Sequence, residues 1–289
     1  MRSGRLVLSV LAACAPSAAS ATDWYTGSPT SQPAGAASYI SFFDQSAPTP
    51  SYAPIATEPV VSAGPALADT YPTSTGGSIG VALDVAVTAD TKGSKFVTLI
   101  GTIAPFAGFD QSGMRLRLGG VLGQYSYVGG NGIGRVTGTQ MDGSFMVGYE
   151  WVTRRASFGV YGGVDMNNNK IDKYDSANNS TGQATGAKIA IDFNYRPTDY
   201  TMFSGVASFS SAHNAYYARF KAGYSIGQQV YVGPEAIFMG DDFFKQWRIG
   251  GHLTGAKFGI LQVGASAGVL VDKVRGTGMY GILDARVGF

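Results

Sequence analysis

The sequence predicts an all-β fold: a transmembrane, antiparallel, up-and-down β-barrel of about 12 strands, of the outer-membrane type. Three observations carry this reading. The last residues alternate: Met279, Leu283, Ala285, Val287 and Phe289 fall on one side of an extended strand, and Tyr280, Asp284, Arg286 and Gly288 on the other. Side chains on a strand point to opposite faces with period two, so one face is apolar and the other carries opposite charges. The same two-sidedness recurs in segment after segment upstream. The composition fits as well. Of 289 residues, 41 are Gly, 16 Tyr and 16 Phe, and only 14% are charged. Beyond the N-terminus no apolar run reaches the length of about 20 residues that a membrane helix needs. A soluble β-sandwich or barrel shares this composition. The membrane barrel is preferred because the alternation exposes apolar residues on one face of nearly every strand.

The first element is an address. Arg2 and Arg5 precede a short apolar core, Leu6 to Ala13, and Ala19-Ser20-Ala21 offers a cleavage site. This pattern predicts a signal peptide over residues 1–21 that directs export. Cys14, the single cysteine, lies within it, so no internal disulfide or cysteine-built metal site is expected. Leu11-Ala12-Ala13-Cys14 also resembles a lipobox. Cleavage after Ala21 and lipidation at Cys14 both remain open. Residues 22–77 are rich in Ser, Pro and Ala, with eight prolines from Pro29 to Pro72. They predict a disordered periplasmic segment.

Residues 78–289 form the expected barrel. Alternation and turn residues place strands near 78–88, 94–105, 114–127, 139–152, 156–167, 184–195, 200–211, 215–226, 229–240, 246–258, 260–272 and 279–289. Each has about the length a tilted membrane strand requires. Tight turns are expected around Asp110–Gly113, Arg154-Arg155, Arg196–Asp199, Gly227-Gln228 and Phe258-Gly259. Longer connections are expected at 129–138 and 167–182. Short turns and long loops would then sit at opposite ends, as in an even-stranded barrel with both termini in the periplasm.

Alternation sorts the side chains. Met114, Leu116 and Leu118 oppose Arg115 and Arg117, and Ile249 and Leu253 oppose Arg248 and His252. A charge facing hydrocarbon at mid-depth costs about 2–4 kcal/mol, so the polar sets are expected to line the lumen. The expected set is Arg115, Arg117, Glu150, Lys188, Asp192, Arg219, Lys221, Glu235, Arg248, His252, Asp284 and Arg286. Two readings compete. The residues either pair across the interior and stiffen it, or line a hydrated path. Pro234, unable to donate to a ladder, implies a bulge or a local break. Glu235 beside it would point inward, within reach of Arg219 or Arg248.

Other chemistries find little footing. The net charge of +2 comes without a dense basic run, which argues against nucleic acid. Only two histidines exist, His213 in an outer loop sequence and His252 on the lumen face. No nucleotide loop or zinc spacing occurs. Asp165, Asn167, Asn169 and Asp172 loosely match a calcium loop but lack its glycine and closing glutamate. No catalytic residue, metal or cofactor is assigned.

Tyr216-Tyr217-Ala218-Arg219, Gly223-Tyr224, Gly233-Pro234-Glu235, Gly240, Trp247-Arg248-Ile249-Gly250, Ser266-Ala267-Gly268 and Gly278-Met279-Tyr280-Gly281 follow one another in a fixed order. In that order they resemble the alphaproteobacterial cellulose biosynthesis protein BcsS family. The resemblance extends more weakly over 99–127 and 143–163. It implies a non-catalytic outer-membrane barrel, accessory to the biosynthesis or secretion of cellulose, an exopolysaccharide. The implied partners are outer-membrane lipid and cellulose or components of its synthase. A porin-like channel for small solutes is the alternative, and a lipid-modifying barrel enzyme a distant one.

Overall fold

The structure, a computed structural model, describes residues 79–289 except 107, 131, 228 and 229. The predicted signal peptide and the proline-rich segment lie outside the described residues. Twelve antiparallel strands are present: β1 (Gly80–Asp90), β2 (Lys95–Ala104), β3 (Gly113–Gly129), β4 (Gly134–Val152), β5 (Ala156–Ile171), β6 (Gly182–Tyr195), β7 (Thr201–Ser210), β8 (Ala215–Gly227), β9 (Val230–Gly240), β10 (Lys245–Phe258), β11 (Leu261–Asp272) and β12 (Gly276–Gly288). Each pairs with its sequence neighbour, and β1 closes on β12, from Ala82 opposite Gly288 to Asp90 opposite Tyr280. Closure leaves no free edge, which is what allows strands to cross a bilayer at all.

The period-two pattern decides the sidedness. Leu118, Phe145, Val164, Ile189, Ile249 and Leu283 are exposed on the outer wall, Ile189 to 60%. So continuous an apolar exterior is untenable in water and suits lipid. Toward the end where β1 begins and β12 finishes, here the terminus end, aromatic rings form a girdle on the outside. Tyr149 and Trp151 lie 4.9 Å apart, Trp151 and Phe158 5.9 Å, and Tyr200 and Tyr224 6.1 Å. Such rings favour the membrane–water boundary.

Connection lengths depart from the sequence expectation. β3 and β4 continue their ladder to Gly129 opposite Gly134, so the expected loop over 129–138 shrinks to the turn 130–133. β5 likewise runs to Ile171 and leaves only 172–181 as a long connection. At the terminus end, the tight turn expected at Asp110–Gly113 is instead the eight-residue connection 105–112. Long and short connections therefore do not alternate as expected. Asn167 and Asn169 read as loop formers, yet they stay in the ladder because the inner face of a strand tolerates polar side chains.

Pro234 sits on the outer face. The β8–β9 pairing is interrupted between Lys221–Glu235 and Tyr224–Val232 without any change of register. The break is thus local and not a bulge. Gly233 is required there: a Cβ would stand 2.0 Å from the Ala222 carbonyl oxygen. The register shifts lie elsewhere, between Ser225 and Gly227 and between Thr254 and Ala256, where Gly227 and Gly255 take positive φ.

Candidate functional site: the charged interior

The twelve polar residues expected inside all come from strand positions whose neighbours face outward, and the structure gathers them into four groups. Nearest the termini, Arg115 is fully buried. Its Nε donates to Glu150 Oε2 at 2.8 Å, and its guanidinium also donates to the carbonyls of Gln111 (2.6 Å) and Gly108 (3.4 Å). Phe109 lies under the same guanidinium at 5.4 Å and packs with Ala82 and Ala104. The 105–112 connection is therefore drawn into the barrel mouth by one arginine.

Deeper, Arg117 donates to Asp192 at 3.1 Å and stacks on the Tyr161 ring at 3.6 Å. Gly148 and Gly159 make room for that ring, since a Cβ at either would fall within 2.7 Å of it. Arg286 faces Asp84 directly across the β12–β1 ladder, 3.4 Å away. On the β5–β6 wall, Lys188 meets Asp165 at 2.7 Å.

The third group is the densest. Arg219 on β8 holds Glu235 on β9 at 2.7 Å and Asp284 on β12 at 3.0 Å. Glu235, 2% exposed, also accepts from Ser266 (3.0 Å) and from the Tyr280 hydroxyl (3.1 Å). Lys221 lies 3.5 Å from Asp284 and donates to Thr254 at 3.1 Å. Each cation and each carboxylate here answers an opposite charge or a hydroxyl. A buried ion needs this to offset its desolvation.

His252 belongs to the same group. Its Nε2 lies 3.1 Å from the Ala222 carbonyl oxygen, which only accepts, so Nε2 carries the proton. Its Nδ1 then accepts from Thr254, 3.0 Å away, whose hydroxyl oxygen takes the Lys221 proton donor. Both ring nitrogens therefore have partners, one a carbonyl and one a hydroxyl.

Arg248 departs from expectation. It stands opposite Ile237, two residues along the ladder from Glu235, whose partner is Gly250. Its Nε donates to Gln246 at 2.6 Å, and its guanidinium lies 3.7 Å from Asp90 and over the Tyr280 ring. Asp90 also faces Arg275 at 3.6 Å. Sequence reading passed over Asp84, Asp90 and Tyr161. The same alternation exposes the first two, since Val81, Leu83, Val85 and Val87 are interleaved with them.

Among the described residues, two neighbouring cavities lie inside the barrel. One of about 350 Å³ lies toward the terminus end and is lined by Asp84, Arg117, Glu150, Asp192, Asp284 and Arg286, among others. One of about 200 Å³ lies at mid-barrel beside Arg117, Asp142, Ser144, Lys188, Ser208 and Tyr217. Arg117 and Arg219, from nearly opposite walls, border both. Toward the other end, Ile237, Met239, Leu270, Tyr280 and Ile282 form an apolar cluster with Tyr217 and Phe244 packed on it. Phe243 on the β9–β10 turn reaches Tyr127 on β3, the ring centres 4.9 Å apart.

A closed ladder, a lipid-compatible exterior and an interior of paired charges define a transmembrane β-barrel of the outer-membrane class. The cellulose biosynthesis protein BcsS family model matches residues 75–289, and the chain belongs to that family. Several solved outer-membrane barrels are similar to the chain. The KdgM porin is 10% identical, covering 72% of this chain and 99% of its own at a TM-score of 0.40. An outer membrane channel from Pseudomonas putida F1 is 13% identical, covering 79% and 100% at 0.46. The translocator domain of the autotransporter NalP from Neisseria meningitidis is 10% identical, covering 76% and 91% at 0.42. No curated protein matches the sequence.

Proposed function

We propose that this barrel is a non-catalytic outer-membrane accessory of bacterial cellulose production, exported by its N-terminal signal peptide. It would assist secretion or anchoring of the polymer alongside components of the synthase machinery. The family membership over residues 75–289 carries this reading. The interior supports the non-catalytic part. Most of its charged groups are held in ion pairs, and both nitrogens of His252 have hydrogen-bond partners.

Deleting the gene tests the role. The expected result is less dye-binding polymer at the cell surface with unchanged permeability to small solutes. An unaltered polymer phenotype overturns it. The two polar-lined cavities favour a second reading, a channel for small solutes. Steady single-channel currents from the purified protein in planar bilayers would favour that reading over the first.

A further inference from the structure

Every acidic side chain on the described strands faces the interior. Four cations do the opposite. Lys95 on β2, Arg135 on β4, Lys170 on β5 and Lys245 on β10 alternate in step with the outward-facing Leu99, Met141, Met166 and Ile249 of the same strands. All four lie at the end away from the termini. Lys245 is alone on its side of the barrel, whereas the other three gather over β2–β5. Lys95, Gln124, Thr139 and Lys170 are successive ladder partners, one row across four strands. The two lysines therefore stand three strand spacings apart, about 14 Å. Arg135 is exposed four residues farther along β4, away from the bilayer. Its guanidinium donates to Ser126 at 2.8 Å, and Lys173 Nζ donates to its carbonyl oxygen at 2.8 Å. The neighbouring carboxylate is Asp172, one of whose oxygens takes the Thr137 N–H at 2.7 Å. Among the described residues, Lys95, Arg135, Lys170 and Lys173 form no ion pair, unlike the interior Arg115, Arg117 and Arg219. One row closer to mid-barrel the same wall turns apolar through Val97, Leu122 and Met141, with Asn168 at its edge.

Position and charge together narrow the partner. These side chains stand on the lipid-facing wall, directly beyond its apolar band, where long cationic side chains reach toward head groups. Four cations against one carboxylate call for an anion with more than one charged group. A phosphate monoester carries about −1.5 to −2 charge and three acceptor oxygens, and an arginine fork suits it. One small phosphodiester head group cannot span about 14 Å of sheet. A sugar-based head group bearing several phosphates can. Its phosphates would meet Lys95, Lys170 and Arg135, its hydroxyls Gln124 and Thr139, and its acyl chains Leu122 and Met141. We propose that the outer wall over β2–β5, at the end away from the termini, is a binding surface for a phosphorylated glycolipid of the adjoining leaflet.

The test is binding of a labelled bisphosphorylated, acylated glucosamine disaccharide to the full-length protein in neutral detergent. The same lipid stripped of its phosphates serves as the comparison. The phosphorylated form should bind saturably and the stripped form far more weakly. Lys95→Gln, Arg135→Gln and Lys170→Gln should each weaken binding about fivefold, and the triple variant about a hundredfold. Lys245→Gln, on the far side of the barrel, should leave it unchanged. A heat-dependent gel shift checks that each variant is a folded barrel. No saturable binding, equal binding of the stripped lipid, or an unaffected triple variant overturns the proposal. So does a loss from Lys245→Gln as large as that from Lys95→Gln, which would show a general charge effect. Displacement of the lipid by inorganic phosphate at constant ionic strength would show a site for the free anion and overturn it as well.

Discussion

Arg219 and Asp284 stand 3.0 Å apart although β9, β10 and β11 lie between their strands. The bond is a chord through the interior. With Glu235 on the same guanidinium, it ties β8, β9 and β12 together.

Removing the cation should therefore be far worse than removing the group. Arg219→Met leaves Glu235 and Asp284 short of a partner, and breaking one side of a buried pair costs about 3–5 kcal/mol. Arg219→Met combined with Glu235→Gln should recover part of that loss. Denaturant unfolding of the three proteins in detergent checks it. Equal losses in the single and double variants would refute the coupling.

The sidedness has a direct test. Leu118→Arg places a charge on the lipid face and should cost about 2–4 kcal/mol if the site is near mid-bilayer. Ser144→Arg, facing the mid-barrel cavity, should cost markedly less. Folding into vesicles at graded urea measures both, and a reversed order would contradict the assignment of faces.

Arg115 is the tether of the 105–112 connection, through the Gln111 and Gly108 carbonyls. Arg115→Ala should release this segment, and Phe109 with it. Protease added from the terminus side should then cleave within 105–112 in the variant and spare the native protein. Identical cleavage in both would show the tether to be unimportant.

Asp241, in the β9–β10 turn, accepts from the backbone N–H groups of Phe243 (2.7 Å) and Phe244 (2.9 Å). Burial pushes its carboxyl above the usual range despite these bonds. A carboxyl raised in the folded state binds more protons there than in the unfolded chain. Its contribution is full below the unfolded value of about 3.9 and is lost as pH rises through the folded value. Asp241→Asn keeps an acceptor oxygen without the charge. The variant should melt at or above the native temperature near neutral pH, with the gap closing below about pH 4. Melting curves across that range read it out.

Much of the fold was legible in sequence because a barrel wall has a simple rule. Lipid outside and water inside force a strict alternation, so Arg115, Arg219 and Asp284 betray their direction by their neighbours. Even Asp84 and Asp90 carried the same signal. The ends of the strands were less legible. Asn167 and Asn169 carry loop chemistry, yet they remain paired because polarity on an inward face does not end a ladder.

The sequence by itself determined the number of strands and their order, and its alternation separated a polar from an apolar face. These follow from a period of two and from nearest-neighbour pairing. Only the tertiary structure decided who meets whom across the interior. Arg219 reaches Asp284 and Arg117 reaches Asp192 over chords whose length depends on barrel stagger and on the space that Gly148 and Gly159 leave for Tyr161. Arg248 turns from Glu235 to Gln246 because the register sets it two residues too far along. Alternation fixes a direction, whereas a partner is fixed by distance, and distance exists only once the sheet has closed.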